Sequence, residues 1–82
     1  MVKQMLKRVP QFVVLFHTTA EAMGTERLCK AQGLPGRLIP APRNVTADCG
    51  IAWCAPPEAG AAIHEALLQA SIETAGEYEL CL

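Results

Sequence analysis

Five consecutive strongly apolar residues, Phe12 to Phe16, form the centre of the segment Gln11 to His17 (QFVVLFH). A strand with one solvated face alternates apolar and polar residues, and this one does not. The β-branched and aromatic content reads as a strand, and apolar side chains on both faces read as a central strand, covered above and below. A chain of 82 residues has room for one small core around such a strand. The run is also far short of the roughly 20 apolar residues that cross a bilayer. With 51% hydrophobic and 18% charged residues, the chain is not a disordered one. Residues 1–10 carry charge but lack an apolar stretch leading to a small-residue cleavage site, so no secretory leader is expected there. They read as an N-terminal extension, and residues 11–82 as the single domain.

The rest of the chain supplies what a central strand needs. Thr18 followed by Glu21 is a capping box, so a helix is predicted from there to about Gln32, with Gly33 as its stop. Ala20, Met23, Ala31 and one of Arg27 or Leu28 form its expected inward stripe. Leu34-Pro35-Gly36 is a turn. Arg37 to Ala41 reads as a short strand, placed at a sheet edge by Pro40. Residues 42–50 are a polar loop, and Ile51 to Ala55 is the next strand. Pro56-Pro57-Glu58 opens a second helix, in which Ala59, Ala62, Ile63, Ala66, Leu67 and Ala70 follow helical spacing. Glu77 to Leu82 alternates as a half-buried strand. The order β-α-β-β-α-β predicts an α+β, ferredoxin-like split βαβ sandwich: a four-stranded antiparallel sheet with two helices on one face. Right-handed crossovers put the first and third strands side by side in its centre. The other face, carrying apolar residues of the first strand, suggests a homodimer.

Charge is divided unevenly. All Lys and Arg lie in residues 1–43, giving that half +5, and residues 44–82 hold six acids and no Lys or Arg. Attraction between the halves of one fold is the simple reading, and steering of an anionic ligand or a partner protein the sharper one. The basic residues are scattered and aromatics few, which disfavours nucleic-acid binding. The four cysteines, Cys29, Cys49, Cys54 and Cys81, include no C-x-x-C, and with no leader they point to reduced thiols in the cytoplasm. Zinc is disfavoured, since Cys49 and Cys54 with His17 or His64 would make a non-specific ligand set.

The expected topology makes a geometric statement about chemistry. The first strand ends at His17, and the third begins just after Cys49-Gly50. In an antiparallel pair those ends meet, so Cys49 should lie near His17, Thr18, Thr19 and the first helix's N-terminus. Arg43 should reach the same edge. Helix-end N–H groups, Arg43 and a protonated His17 would all favour a thiolate, against which Asp48 works. Gly50 would admit close approach of a second backbone. The reading that Cys49 is an ordinary loop thiol stays open, and His17 could equally be a capped surface residue. Cys29 and Trp53 read as packed core, Cys54 as a strand residue facing away from Ile51 and Trp53, Cys81 as half exposed, and His64 as a solvated helix residue.

The segments FHTTAEAM (Phe16 to Met23), GLPGRLIPAPR (Gly33 to Arg43) and DCGIAW (Asp48 to Trp53) resemble the putative Se/S carrier protein-like family, a small bacterial family, over Gln11 to Leu82. The resemblance implies a sulfur or selenium carrier. The cysteine of the Cys-Gly pair, Cys49 beside Gly50, would hold a persulfide or selenopersulfide. His17, Thr18, Thr19 and Arg43 match the family's recurrent polar positions. Members occur alone or joined to a TusA-like sulfur-carrier domain; this chain has no C-P-x-P motif, so such pairing would be in trans. The implied partners are donor and acceptor proteins of sulfur or selenium transfer, a TusA-like protein among them, with no nucleic acid and no membrane. No resident cofactor is implied beyond the transient persulfide, and a non-catalytic carrier or binding protein is expected rather than an enzyme. Two other readings stand beside it: a small-anion-binding or regulatory module in which Cys49 is incidental, and a metal site.

Overall fold

The computed structural model describes residues 9–42 and 50–81. The elements are β1 (Pro10–Leu15), α1 (Thr19–Gln32), β2 (Arg37–Pro40), β3 (Ile51–Ala55), a 3-10 turn at Pro57–Ala59 leading into α2 (Gly60–Gln69), and β4 (Gly76–Cys81). The sheet order is β2-β3-β1-β4, with every neighbouring pair antiparallel. This is the expected α+β, ferredoxin-like arrangement. β1 and β3 are the central pair, and β2, ending in Pro40, is an edge strand.

β1 is enclosed as its composition demands. Val13, Val14, Leu15 and Phe16 are all at most 1% exposed. Val14 and Phe16 point to the helical face, where they pack with Trp53 and Ala55 of β3, Ala22 and Cys29 of α1, and Ile63 and Leu67 of α2. Val13 and Leu15 point to the other face and cluster with Ala52, Ile39, Ala75 and Leu80. The centre of that face is therefore buried. Cys29 and Trp53 are core residues, and Cys54 lies on the helix-free face, as the alternation of β3 implies.

Helix α1 sits at a different rotation from the predicted one. Its buried residues are Ala22, Thr25 and Cys29, while Met23 is 43% exposed and Ala20 and Ala31 face solvent. The inward stripe is small and partly polar, so hydropathy does not mark it. Thr25 is accommodated because its hydroxyl donates to the Glu21 carbonyl at 2.9 Å. Along the 3-10 turn and α2 the stripe narrows to Ala59, Ile63, Ala66 and Leu67, leaving Ala62 and, just past the helix, Ala70 outside. α1 ends as predicted: Gly33 adopts a left-handed conformation, and Leu34 N–H donates back to the Cys29 carbonyl at 2.8 Å.

One glycine couples the turn after α1 to the core. Gly36 has φ of 137°, and a Cβ on it would come within 2.5 Å of Trp53 Nε1 and 2.6 Å of Trp53 Cε2. The indole is at most 1% exposed and packed in the core, so the ring has little room to retreat. Replacing Gly36 by Ala combines backbone strain with overpacking and should lower stability by about 2–4 kcal/mol. Urea unfolding followed by Trp53 fluorescence measures this, and a midpoint equal to that of the native chain would refute the packing role.

Candidate functional site

The chain leaves β1 at Phe16 and enters α1 within three residues, and that turn is held by the predicted capping box. Thr18 Oγ1 accepts from Glu21 N–H at 3.2 Å. Glu21 Oε1 accepts from His17 N–H at 2.8 Å and Thr18 N–H at 3.3 Å. His17 Nδ1 lies 3.8 Å from the same oxygen, with its ring half exposed. The cap supports the helix by about 1 kcal/mol. It also changes the electrostatics expected there. The positive end of α1 is partly neutralised by the carboxylate of its own Glu21. What remains for another anion is the N–H groups of Thr19 and Ala20, the Thr19 hydroxyl, and the proton of the Thr18 hydroxyl.

β3 begins opposite this turn. The β1–β3 register ends at Leu15 against Ala52, so the chain continues from there into His17 on one strand and back to Gly50 on the other. Gly50 has φ of +73°, with nothing among the described residues within 4 Å of where a Cβ would stand. Glycine suits the left-handed backbone there. Its carbonyl accepts from Ala41 N–H at 2.9 Å, so Ala41 and Gly50 are held side by side. Arg43 and Cys49 lie outside the described residues; by covalent connection they are two residues beyond Ala41 and one before Gly50. Of the residues expected at the site, the structure thus brings His17, Thr18, Thr19 and Gly50 to one rim of the sheet.

The other thiols are placed differently. Burial raises the Cys29 thiol above its ordinary value. Cys54 is 5% exposed and donates to Gln11 Oε1 at 3.5 Å. Burial pushes it up as well, with Arg37 opposing in part. Cys81 is exposed and stands opposite Pro10, at the far end of β1 from His17. Cys29, Cys54 and Cys81 are all free thiols. Among the described residues no three His, Cys, Asp or Glu side chains gather at metal-binding spacing. Also among them, no helix is long and apolar enough to cross a membrane.

A pair that local sequence patterns did not mark lies at the opposite edge. His64 of α2 is not merely solvated: its Nδ1 sits 2.8 and 2.9 Å from the two carboxylate oxygens of Glu77, the second residue of β4. The two residues are thirteen positions apart on different elements, so only the tertiary fold reveals them. Both line a cavity of about 480 Å³ with Leu67, Leu68, Ile72 and Glu73. They also line a second, of about 340 Å³, with Phe12, Gly60 and Glu79. A third cavity, beside the start of α1, is bordered by Glu21 and Glu73 and is therefore unsuited to a free anion.

A family model described as Putative Se/S carrier protein-like matches residues 11–79, and the chain belongs to that family. No curated protein and no solved structure shows a match.

The hydrogen bond to Glu77, then its charge, raises His64 above the ordinary histidine value of 6.5, with Glu65 adding slightly and desolvation opposing. Below that value His64 is charged in the folded and unfolded chain alike, and the pair's contribution is complete. It is lost as pH rises through the raised folded value. The difference in urea midpoint between the native chain and His64→Gln should therefore shrink as pH climbs above the histidine range. A difference that is constant with pH would refute the ionic part of the contact. Both side chains are partly exposed, so the effect is small.

Proposed function

We propose that this member of the Se/S carrier-like family holds sulfur or selenium on Cys49 as a persulfide or selenopersulfide and passes it between a donor and an acceptor protein. The observation that carries the reading is the register of β3 against β1. It supports a position for the Cys-Gly pair at the sheet rim where His17, Thr18 and Thr19 begin α1. The remaining thiols support it by contrast, since Cys29 and Cys54 are buried and Cys81 lies at the other end of β1.

The chemistry asked of Cys49 is thiol exchange. Its thiolate attacks the terminal sulfur of a donor persulfide, the donor's S–S bond breaks, and the donor cysteine leaves as a thiolate. One sulfur atom changes hands with no net oxidation. Delivery is the reverse step toward an acceptor nucleophile. His17, the Thr18 and Thr19 hydroxyls and Arg43 would hold the anionic terminal atom, with Gly50 setting the backbone that presents it. We place the protein in a reducing, cytoplasmic compartment and propose a TusA-like protein as one partner. The small-anion module is less well supported, because Glu21 already takes the N–H groups of His17 and Thr18.

The test is the alkylation rate of each cysteine against pH, resolved by peptide mass spectrometry on reduced, metal-free protein. Cys49 should react fastest at neutral pH, Cys81 at the rate of an ordinary exposed thiol, and Cys29 and Cys54 more slowly still. Incubation with a desulfurase-type donor and cysteine should then add the mass of one sulfur to Cys49, and Cys49→Ser should abolish it. A Cys49 no faster than Cys81 would remove the carrier reading and leave the binding module in its place.

A further inference from the structure

The two edges of the sheet are unlike. β2 is four residues long, ends in Pro40 and is bracketed by Pro35 and Pro42, so it offers little to another strand. β4 is six residues long, has no proline, and pairs only with β1 among the described residues. Its outer side is a row of backbone donors and acceptors.

The β1–β4 register fixes what surrounds that row. Glu77 and Glu79 stand opposite Val14 and Phe12 and share the helical face with them. Tyr78 and Leu80 stand opposite Val13 and Gln11 and share the other. Tyr78 is 43% exposed. On the helical side the two cavities lined by both His64 and Glu77 lie between α2 and this edge, and Leu68, 61% exposed, borders the larger one. Glu77 is hydrogen-bonded to His64, whereas Glu79 has no ionic partner among the described residues. No Lys or Arg occurs anywhere in residues 44–82.

A second copy of this chain is the wrong occupant. Two β4 strands pairing edge to edge about a two-fold axis would extend the sheet with both helical layers on one side. Each register that overlaps the centre of the strand then sets Glu77 or Glu79 against Glu77 or Glu79. Like charges directly opposite oppose such pairing. The same geometry suits an extended segment with Lys or Arg at alternate positions. Its basic side chains would face Glu79 and the two cavities, where their aliphatic stems could lie along Leu68. Its intervening apolar side chains would face Tyr78 and Leu80.

We propose that the β4 edge is a docking site for an extended basic segment of another protein, added to the sheet as a fifth strand. The site does not depend on the chemistry of Cys49 and would serve a carrier or a binding module alike. The experiment uses the full chain, labelled with 15N, and a seven-residue capped peptide alternating Val and Lys. A control peptide has Glu in place of Lys. The Val/Lys peptide should shift the amide signals of Gly76–Cys81 and slow their hydrogen exchange, with affinity falling as salt is added. Glu79→Lys should weaken its binding at least fivefold and admit the Val/Glu peptide. Binding that leaves the β4 amides unmoved, no binding at low salt, or indifference to Glu79→Lys would each overturn the proposal. So would concentration-dependent protection of β4 in the chain alone, which would assign the edge to a second copy.

Discussion

Enclosure of β1 on four sides is the constraint on which the rest of the molecule depends. β3 and β4 flank it, the helices cover Val14 and Phe16, and Val13 and Leu15 are buried on the opposite face. Full burial of side chains of this kind stabilises by about 1.5–3 kcal/mol each. The four together contribute a gross amount comparable to the net stability of a small domain. A strand so confined cannot shift register, because a slip of one residue would exchange the residues of its two differently built faces. Its end is therefore a fixed point. The chain must turn there into α1, and the start of β3 must arrive beside it.

What was legible in the sequence follows from how local the signal is. The apolar run of β1, the Thr18–Glu21 box and the Gly33 stop each act within a few residues, and each lies where it was expected. The inward face of α1 was not legible. Ala22, Thr25 and Cys29 differ little in hydropathy from the outward Ala20, Met23 and Ala31, so composition leaves the helix's rotation open. Tertiary contact decides it: Gly24 faces Ile72, with 3.7 Å between that side chain and the place of a Cβ. The His64–Glu77 pair was hidden for the same reason, since it needs α2 and β4 to be packed before it exists. Of the candidate site, the part that is topology was legible, namely the end of β1 beside the start of β3. The left-handed backbone of Gly50 was not legible, because backbone conformation and space are separate demands that one residue type satisfies.

The rim at the end of β1 has a mixed electrostatic character. A helix N-terminus is an inviting place for an anion. Here the invitation is largely taken by Glu21, whose carboxylate accepts two backbone N–H groups. A freely diffusing anion would meet that carboxylate, and Glu73 in the adjacent cavity. An anion tethered to the chain is a different case. Covalent attachment supplies the local concentration that weak residual donors cannot, so a persulfide carried on a side chain next to Gly50 would need far less from Thr19 and Ala20 than a free ligand would. That asymmetry favours a carrier over a binder at this rim.

The same geometry relates the rim to the acidic edge. Leu15 pairs with Ala52 on one side and with Gly76 on the other, so the start of β3, the end of β1 and the start of β4 share one end of the sheet. Neighbouring strands are about 4.8 Å apart, and a strand added outside β4 would lie three spacings from β3, roughly 14 Å away. A partner held at the β4 edge would thus have its own loops within reach of Gly50 without any part of this domain moving. The alternative edge, β2, is adjacent to β3 but is blunted by proline. A partner of the proposed kind would approach along β4, the edge left unpaired among the described residues, while the proposed thiol chemistry would sit at the rim. On the proposed carrier reading, separating the two would let one small domain offer its thiol to a donor and then to an acceptor.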